Sequence, residues 1–119
     1  MPAWVPVAKA SDVSLGSLVQ VYVGSEEILL SNVDGKIAAT QGYCGHMNMH
    51  LHLGKLAGNV VQCPFHSARF NVESGQVVQQ HEPEIDEELK KMGLPPIPTR
   101  PLKTYQVRVG PDQTVSVFL

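Results

Sequence analysis

An all-β fold, an antiparallel sandwich or small barrel, is the class this chain predicts, and three observations carry it. Short apolar–polar alternating runs follow one another along most of the chain, glycine-containing turns separate them, and only one stretch has helical spacing. Length sets the scale: 119 residues with 43% hydrophobic content supply one modest core, so 1–119 reads as a single domain.

The elements follow in order. Strands are expected over 4–8, 18–23, 27–33 and 36–41, with Gly24-Ser25 and Asp34-Gly35 as the turns between the later ones. Asp12 and its neighbours up to Leu15, ahead of Gly16, suit a one-turn helix. A strand over 59–62 leads on to a hairpin of 70–72 with 76–78 around Glu73-Ser74-Gly75. Strands over 102–109 and 114–119 then close the sheet across Gly110-Pro111-Asp112. The stretch 81–100 breaks this rhythm. Pro83 suits a first helical turn, Glu84, Asp86, Glu87 and Glu88 sit early, Lys90 and Lys91 sit late, and Gly93 ends a short inserted helix. Ile85, Leu89 and Met92 share one face, which predicts that this helix lies on the sheet. The Leu94-Pro95-Pro96-Ile97-Pro98 run cannot continue a helix and is expected to run extended to the last hairpin.

Chemistry concentrates in two short motifs, Cys44-Gly45-His46 and Cys63-Pro64-Phe65-His66, separated by sixteen residues. They contain the only two cysteines of the chain. All four ligands together offer two sulfur and two nitrogen donors, the set of a [2Fe–2S] cluster in which histidines replace cysteines on one iron. Each iron needs two protein ligands beside the bridging sulfides, so loops facing each other can close Cys44 and Cys63 on an inner iron and His46 and His66 on an outer one. Two thiolates cancel the charge of the oxidised core, which makes reduction easier than at an all-cysteine centre. A single structural zinc ion is the competing reading, although zinc sites usually pair two cysteines and then two histidines rather than interleaving them. A Cys44–Cys63 disulfide would leave both histidines unexplained.

The paired motifs resemble the Rieske signature, and the similarity extends past the ligands to Leu51, Gly54, Leu56, Gly58, Pro64, Phe70, Gly75 and Val77, to the Asn32-Val33-Asp34-Gly35 turn and to the Tyr105, Val107, Val109 strand. It covers nearly the whole chain apart from 81–100. The resemblance implies a Rieske-like sandwich or barrel with both cluster loops at one end, a cluster-binding subdomain over about 43–80, and one [2Fe–2S] cluster on Cys44, His46, Cys63 and His66. It further implies a ferredoxin of the oxygenase-associated branch. Such a protein is no enzyme itself and accepts single electrons from a flavin-dependent reductase for delivery to an oxygenase. A small subunit of a reductase such as nitrite reductase is an alternative within the resemblance, and the zinc-bound interaction module is one outside it.

Departures from the respiratory branch carry information of their own. Its loop-bridging cysteines correspond to Met49 and Phe65 here, and its sulfur-directed serine and tyrosine to Ala68 and Phe70. Hydrogen bonds to cluster sulfurs raise the potential, so their loss predicts a value nearer about −150 mV than about +300 mV. Ser67 stands where the family commonly has glycine, which strains the backbone if φ is positive there. The family's cluster-shielding proline loop corresponds either to Glu82-Pro83 or to Pro95-Pro96.

Composition narrows the partners. A formal net charge of −2 and pI near 6.2 do not suit nucleic acid or anionic membranes. No apolar run approaches the roughly 20 residues of a membrane span, and Met1-Pro2-Ala3-Trp4-Val5 lacks the features of a signal peptide, which predicts a cytoplasmic protein. The acidic helix admits two readings, a docking patch or simply a solvated face, and the second is the commoner use of such a run. His50 and His52 read as exposed loop histidines; a second iron site made from them with a nearby carboxylate has no further support in the sequence. Trp4, Phe65 and Phe70 read as packing residues.

Overall fold

The computed structural model describes residues 3–45, 49–64, 67–81 and 83–119. Strand β3 (Glu26–Val33) shows why the layers stack as they do, because Ile28 to Asn32 are all buried. A strand directs successive side chains to opposite faces, so a continuous buried run must be covered on both. Ile28 and Leu30 enter one core with Val13, Ile37, Ala39, Val115 and Val117, while Leu29 enters a second with Cys44, Leu51, Val61, Cys63, Phe70 and Leu102.

Three antiparallel sheets supply those faces. The central one has β2 (Leu18–Val23), β3, β4 (Lys36–Gln41) and β9 (Thr104–Tyr105), in the order β2-β3-β4-β9. On one side lie β1 (Trp4–Lys9), β11 (Thr114–Phe118) and β10 (Val107–Val109), in the order β1-β11-β10. On the other lies the sheet of β5 (Lys55–Ala57), β6 (Val60–Gln62), β7 (Arg69–Asn71) and β8 (Val77–Gln79), in sequence order. The sheets stay open, so among the described residues the sandwich is realised and the small barrel is not.

The hairpins follow their turn residues. Val33 pairs Lys36 across Asp34 and Gly35, whose φ values of 53° and 94° fit a type I′ turn, and the Asn32 carboxamide oxygen accepts from the Gly35 N–H at 2.8 Å. The single strand expected over 102–109 and the one-turn helix expected near 12–15 are both corrected in detail. The first divides at Gln106, because its first half pairs with β4 and its second with β11. The entry turn is a 3-10 turn at Ala10–Asp12, three residues earlier than the glycine signal implied. β5 was not expected at all, since Lys55-Leu56-Ala57 is too short to show a period.

Helix α1 (Glu84–Lys91) ends as Gly93 predicts. Leu94 N–H donates to Leu89 O (2.8 Å) and Gly93 N–H to Lys90 O (3.0 Å), with Gly93 at φ +74°, a Schellman termination. Its expected seat on the sheet is not observed. No helical residue is fully buried: Ile85 and Leu89 are half-buried and Met92 is 64% exposed, so the apolar face is only partly covered. α1 is tethered instead through His81, whose Nε2 lies 2.9 Å from Asp86 Oδ2 and whose Nδ1 meets the Thr99 hydroxyl.

Candidate metal centre

Two loops of the same construction rise from the second core. After β4, the Cys44 N–H donates to Met49 O at 2.8 Å, backed by Tyr43–His50 pairing and by the Leu51 N–H donating to Gly42 O. After β6, the Cys63 N–H donates to Ala68 O at 2.8 Å, just before β7 resumes pairing with β6. Each cysteine therefore stands at the entrance of a loop that closes five residues later, which anchors the backbone that carries its thiol. His46 and His66, expected at those tips, lie outside the described residues, as does Phe65.

Both cysteines are almost fully buried (3% and 2% exposed), belong to the same apolar cluster, and form no disulfide. The disulfide reading is thereby excluded. Two sulfurs brought into one core from two loops fit a cluster that takes a pair of thiolates on its inner side. The side chains of Met49 and Phe70 pack in or against this core, and Ala68 is fully buried. Methyl and phenyl groups offer no hydroxyl to a sulfur.

Close backbone approaches hold the loops together. A Cβ on Gly54 would stand 2.0 Å from Gln62 O, so the stretch returning from the first loop presses directly on the residue before Cys63. A Cβ on Gly45 would stand 2.0 Å from Arg100 O and 3.2 Å from Phe70, and the Arg100 N–H donates to Gly45 O at 2.9 Å. The extended return from α1 thus covers the first loop, forming a groove lined by Tyr43, Cys44, Gly45, Ile97, Pro98 and Pro101. Among the described residues the proline segment beside Cys44 is accordingly 97–101, a little beyond Pro95-Pro96; Glu82 lies outside them.

Ser67 adopts φ +60°, the strained alternative of the two foreseen for it, and its carbonyl accepts from Gln79 Nε2 at 3.1 Å. His50 is exposed, as expected, but its ring is also held in place. Its Nδ1 donates to Glu27 Oε2 at 2.8 Å, and the same oxygen accepts from Gln20 Nε2 at 2.9 Å. Burial pushes the Glu27 carboxyl up, but the His50 and Gln20 hydrogen bonds and the nearby imidazoles outweigh it and hold the group below its ordinary value. Sequence reasoning missed Glu27 because it lies 23 residues from His50, and the pairing of β3 with β4, continued by the Gly42 N–H donating to Glu27 O, brings them together. Trp4 packs edge-on to Phe118 at 5.3 Å, with the Arg108 guanidinium 4.5 Å above its ring, as a packing residue should.

The fold and site define a small open β-sandwich that buries two cysteines at the entrances of paired loops. Residues 3–106 match the Rieske [2Fe-2S] domain model, and the chain belongs to that family, whose cofactor is a [2Fe–2S] cluster. It is 31% identical over 106 residues to the ferredoxin component of the naphthalene 1,2-dioxygenase/salicylate 5-hydroxylase systems of Ralstonia sp., covering 89% of this chain and 86% of that one. Among solved structures it is similar to a chain in the complex of reduced oxygenase and oxidized ferredoxin in carbazole 1,9a-dioxygenase, with 30% identity, TM-score 0.76, and coverage of 96% and 91%. The Sphingomonas yanoikuyae B1 ferredoxin shares the fold at 24% identity, TM-score 0.77, over 98% and 99% of the two chains.

Proposed function

We propose that Cys44, His46, Cys63 and His66 hold one [2Fe–2S] cluster, and that the chain carries single electrons from a flavin-dependent reductase to an oxygenase. The burial of both cysteines in one core, each at the entrance of a matching loop, is the observation that carries this reading. When bound, the cluster supplies a one-electron redox couple. The protein's own part is to bury the two sulfurs, to exclude water from them with Phe70, Leu51 and Leu102, and to shield the first loop with the return segment at Arg100. The unit over about 43–80 is the cluster-binding subdomain within a single 1–119 domain. Relatives named as ferredoxin components of dioxygenase systems support the oxygenase as acceptor; the reductase as donor follows from the family resemblance. Among the described residues no helix is long and apolar enough to cross a membrane, and a cytoplasmic location is part of the same proposal.

Reconstituted electron transfer tests it. With a flavin reductase, NADH and a dioxygenase of this class, addition of the protein should start product formation, and Cys63→Ser should abolish both the visible cluster absorption and transfer. Product formation at the same rate without the protein, or full transfer by the C63S variant, would overturn the proposal.

A further inference from the structure

The cluster loops do not exhaust the metal-ligating groups of this chain. Glu27, His50 and His52 each present one ligand atom, and all three atoms lie within 4.8 Å of one another. Two further observations show that this is more than proximity. Among the described residues, His52 Nδ1 is buried and has no hydrogen-bond partner, which leaves a lone pair or a proton unsatisfied. Gly42 makes room for the carboxylate, since a Cβ there would stand 2.5 Å from Glu27 Cγ and 2.9 Å from Glu27 Oε2.

We infer that Glu27, His50 and His52 form a binding site for a divalent late first-row metal ion, of which Zn²⁺ is the representative. Two imidazoles and a carboxylate are a mixed nitrogen and oxygen set, suited to Zn²⁺ and poorly suited to Mg²⁺ or Ca²⁺, which take oxygen ligands. Donors around a tetrahedral ion at about 2.0–2.1 Å sit roughly 3.3 Å apart, so the three atoms need move only by about an ångström. The ion takes the place of the hydrogen bond between His50 Nδ1 and Glu27 Oε2: the neutral His50 ring binds through Nδ1 in the tautomer that carries its one proton on Nε2, and water completes the coordination. Gln20 Nε2, already donating to Glu27 Oε2, orients the carboxylate.

The location sets a consequence. Glu27 belongs to β3, whereas His50 and His52 flank the exit of the first cluster loop, where Tyr43 pairs His50 and Leu51 bonds back to Gly42. A bound ion fastens that loop to the central sheet, so its occupancy raises thermal stability by mass action.

The experiment uses the cluster-loaded protein. Zinc titration by calorimetry, iron analysis before and after, and zinc K-edge absorption are compared for wild type, Glu27→Gln and His52→Ala. The expected result is one zinc per chain beyond two retained irons, a shell of nitrogen and oxygen only, a higher melting midpoint with zinc, and at least tenfold weaker binding in both variants. Three results overturn the site: no saturable zinc, wild-type affinity in the variants, or sulfur in the zinc shell with loss of iron, which would place zinc on the cluster cysteines. The absorption spectrum of the wild type decides the matter even if a variant fails to fold.

Discussion

Gly54→Ala tests the contact that presses the two loops together. Gly54 has φ −84° and ψ −156°, a backbone that alanine adopts without penalty, so the substitution by itself would stabilise by about 0.4–1 kcal/mol through the unfolded chain. The new methyl, however, would stand 2.0 Å from Gln62 O, more than an ångström inside ordinary contact, and the obstacle is backbone that cannot rotate away. Relief requires the first loop to lift from β6 or the Gly54 N–H bond to Leu51 O to stretch, and overpacking of this kind costs about 1–3 kcal/mol. Steric cost exceeds the chain-entropy gain, and the net sign is destabilising. With an unfolding entropy near 2.1 cal/mol/K per residue, a net loss of 1–2 kcal/mol in this chain lowers the melting midpoint by about 4–8 °C. Thermal loss of visible cluster absorption, beside far-UV circular dichroism, is the assay. A midpoint unchanged or raised would show that the loops do not meet at Gly54 and Gln62.

Other outcomes follow from burial and charge. Leu51→Ala, at a fully buried position between the loops, should cost about 2–5 kcal/mol in denaturant unfolding, whereas Met92→Ser on the exposed helix face should stay within about 0.5 kcal/mol. Glu87→Lys, also exposed, should leave stability equally untouched, and an unchanged salt dependence of partner reduction would leave that helix face a solvated one. Hydrogen bonds from the Thr114 hydroxyl and N–H hold the Asp112 carboxyl below its ordinary 3.8, so its contribution to stability is present above that pH and lost as pH falls through the lowered value. Asp112→Asn should therefore destabilise at neutral pH and converge with wild type in strong acid, as acid unfolding curves would reveal. A redox titration should give a midpoint toward about −150 mV, since Ala68 and Phe70 carry no hydroxyl for the cluster sulfurs; a clearly positive value would remove that reasoning.

What was legible in the sequence was local. The Asp34-Gly35 hairpin, the Gly93 helix end and the paired Cys-x-His and Cys-x-x-His motifs each sit within a few residues, where spacing and backbone preference act directly. What was not legible depended on long-range placement. Ile85, Leu89 and Met92 had helical spacing, but nothing in that spacing says how far another layer covers them, and Ile85 and Leu89 are only half-buried while Met92 is exposed. The division of 102–109 at Gln106 follows from which strands flank it in space. Glu27 meets His50 only because β3 runs beneath the first loop. The proline segment beside Cys44, 97–101, lies just beyond the Pro95-Pro96 candidate, and the Arg100 N–H bond to Gly45 O fixes it there.

The central claim is a cluster held by two cysteines and two histidines, and low-temperature electron paramagnetic resonance of the dithionite-reduced protein tests it most directly. A rhombic signal with average g below that of an all-cysteine ferredoxin, carrying nitrogen couplings from two imidazoles, is the predicted result. A silent, colourless protein that retains zinc, or a cluster signal without nitrogen coupling, would contradict it.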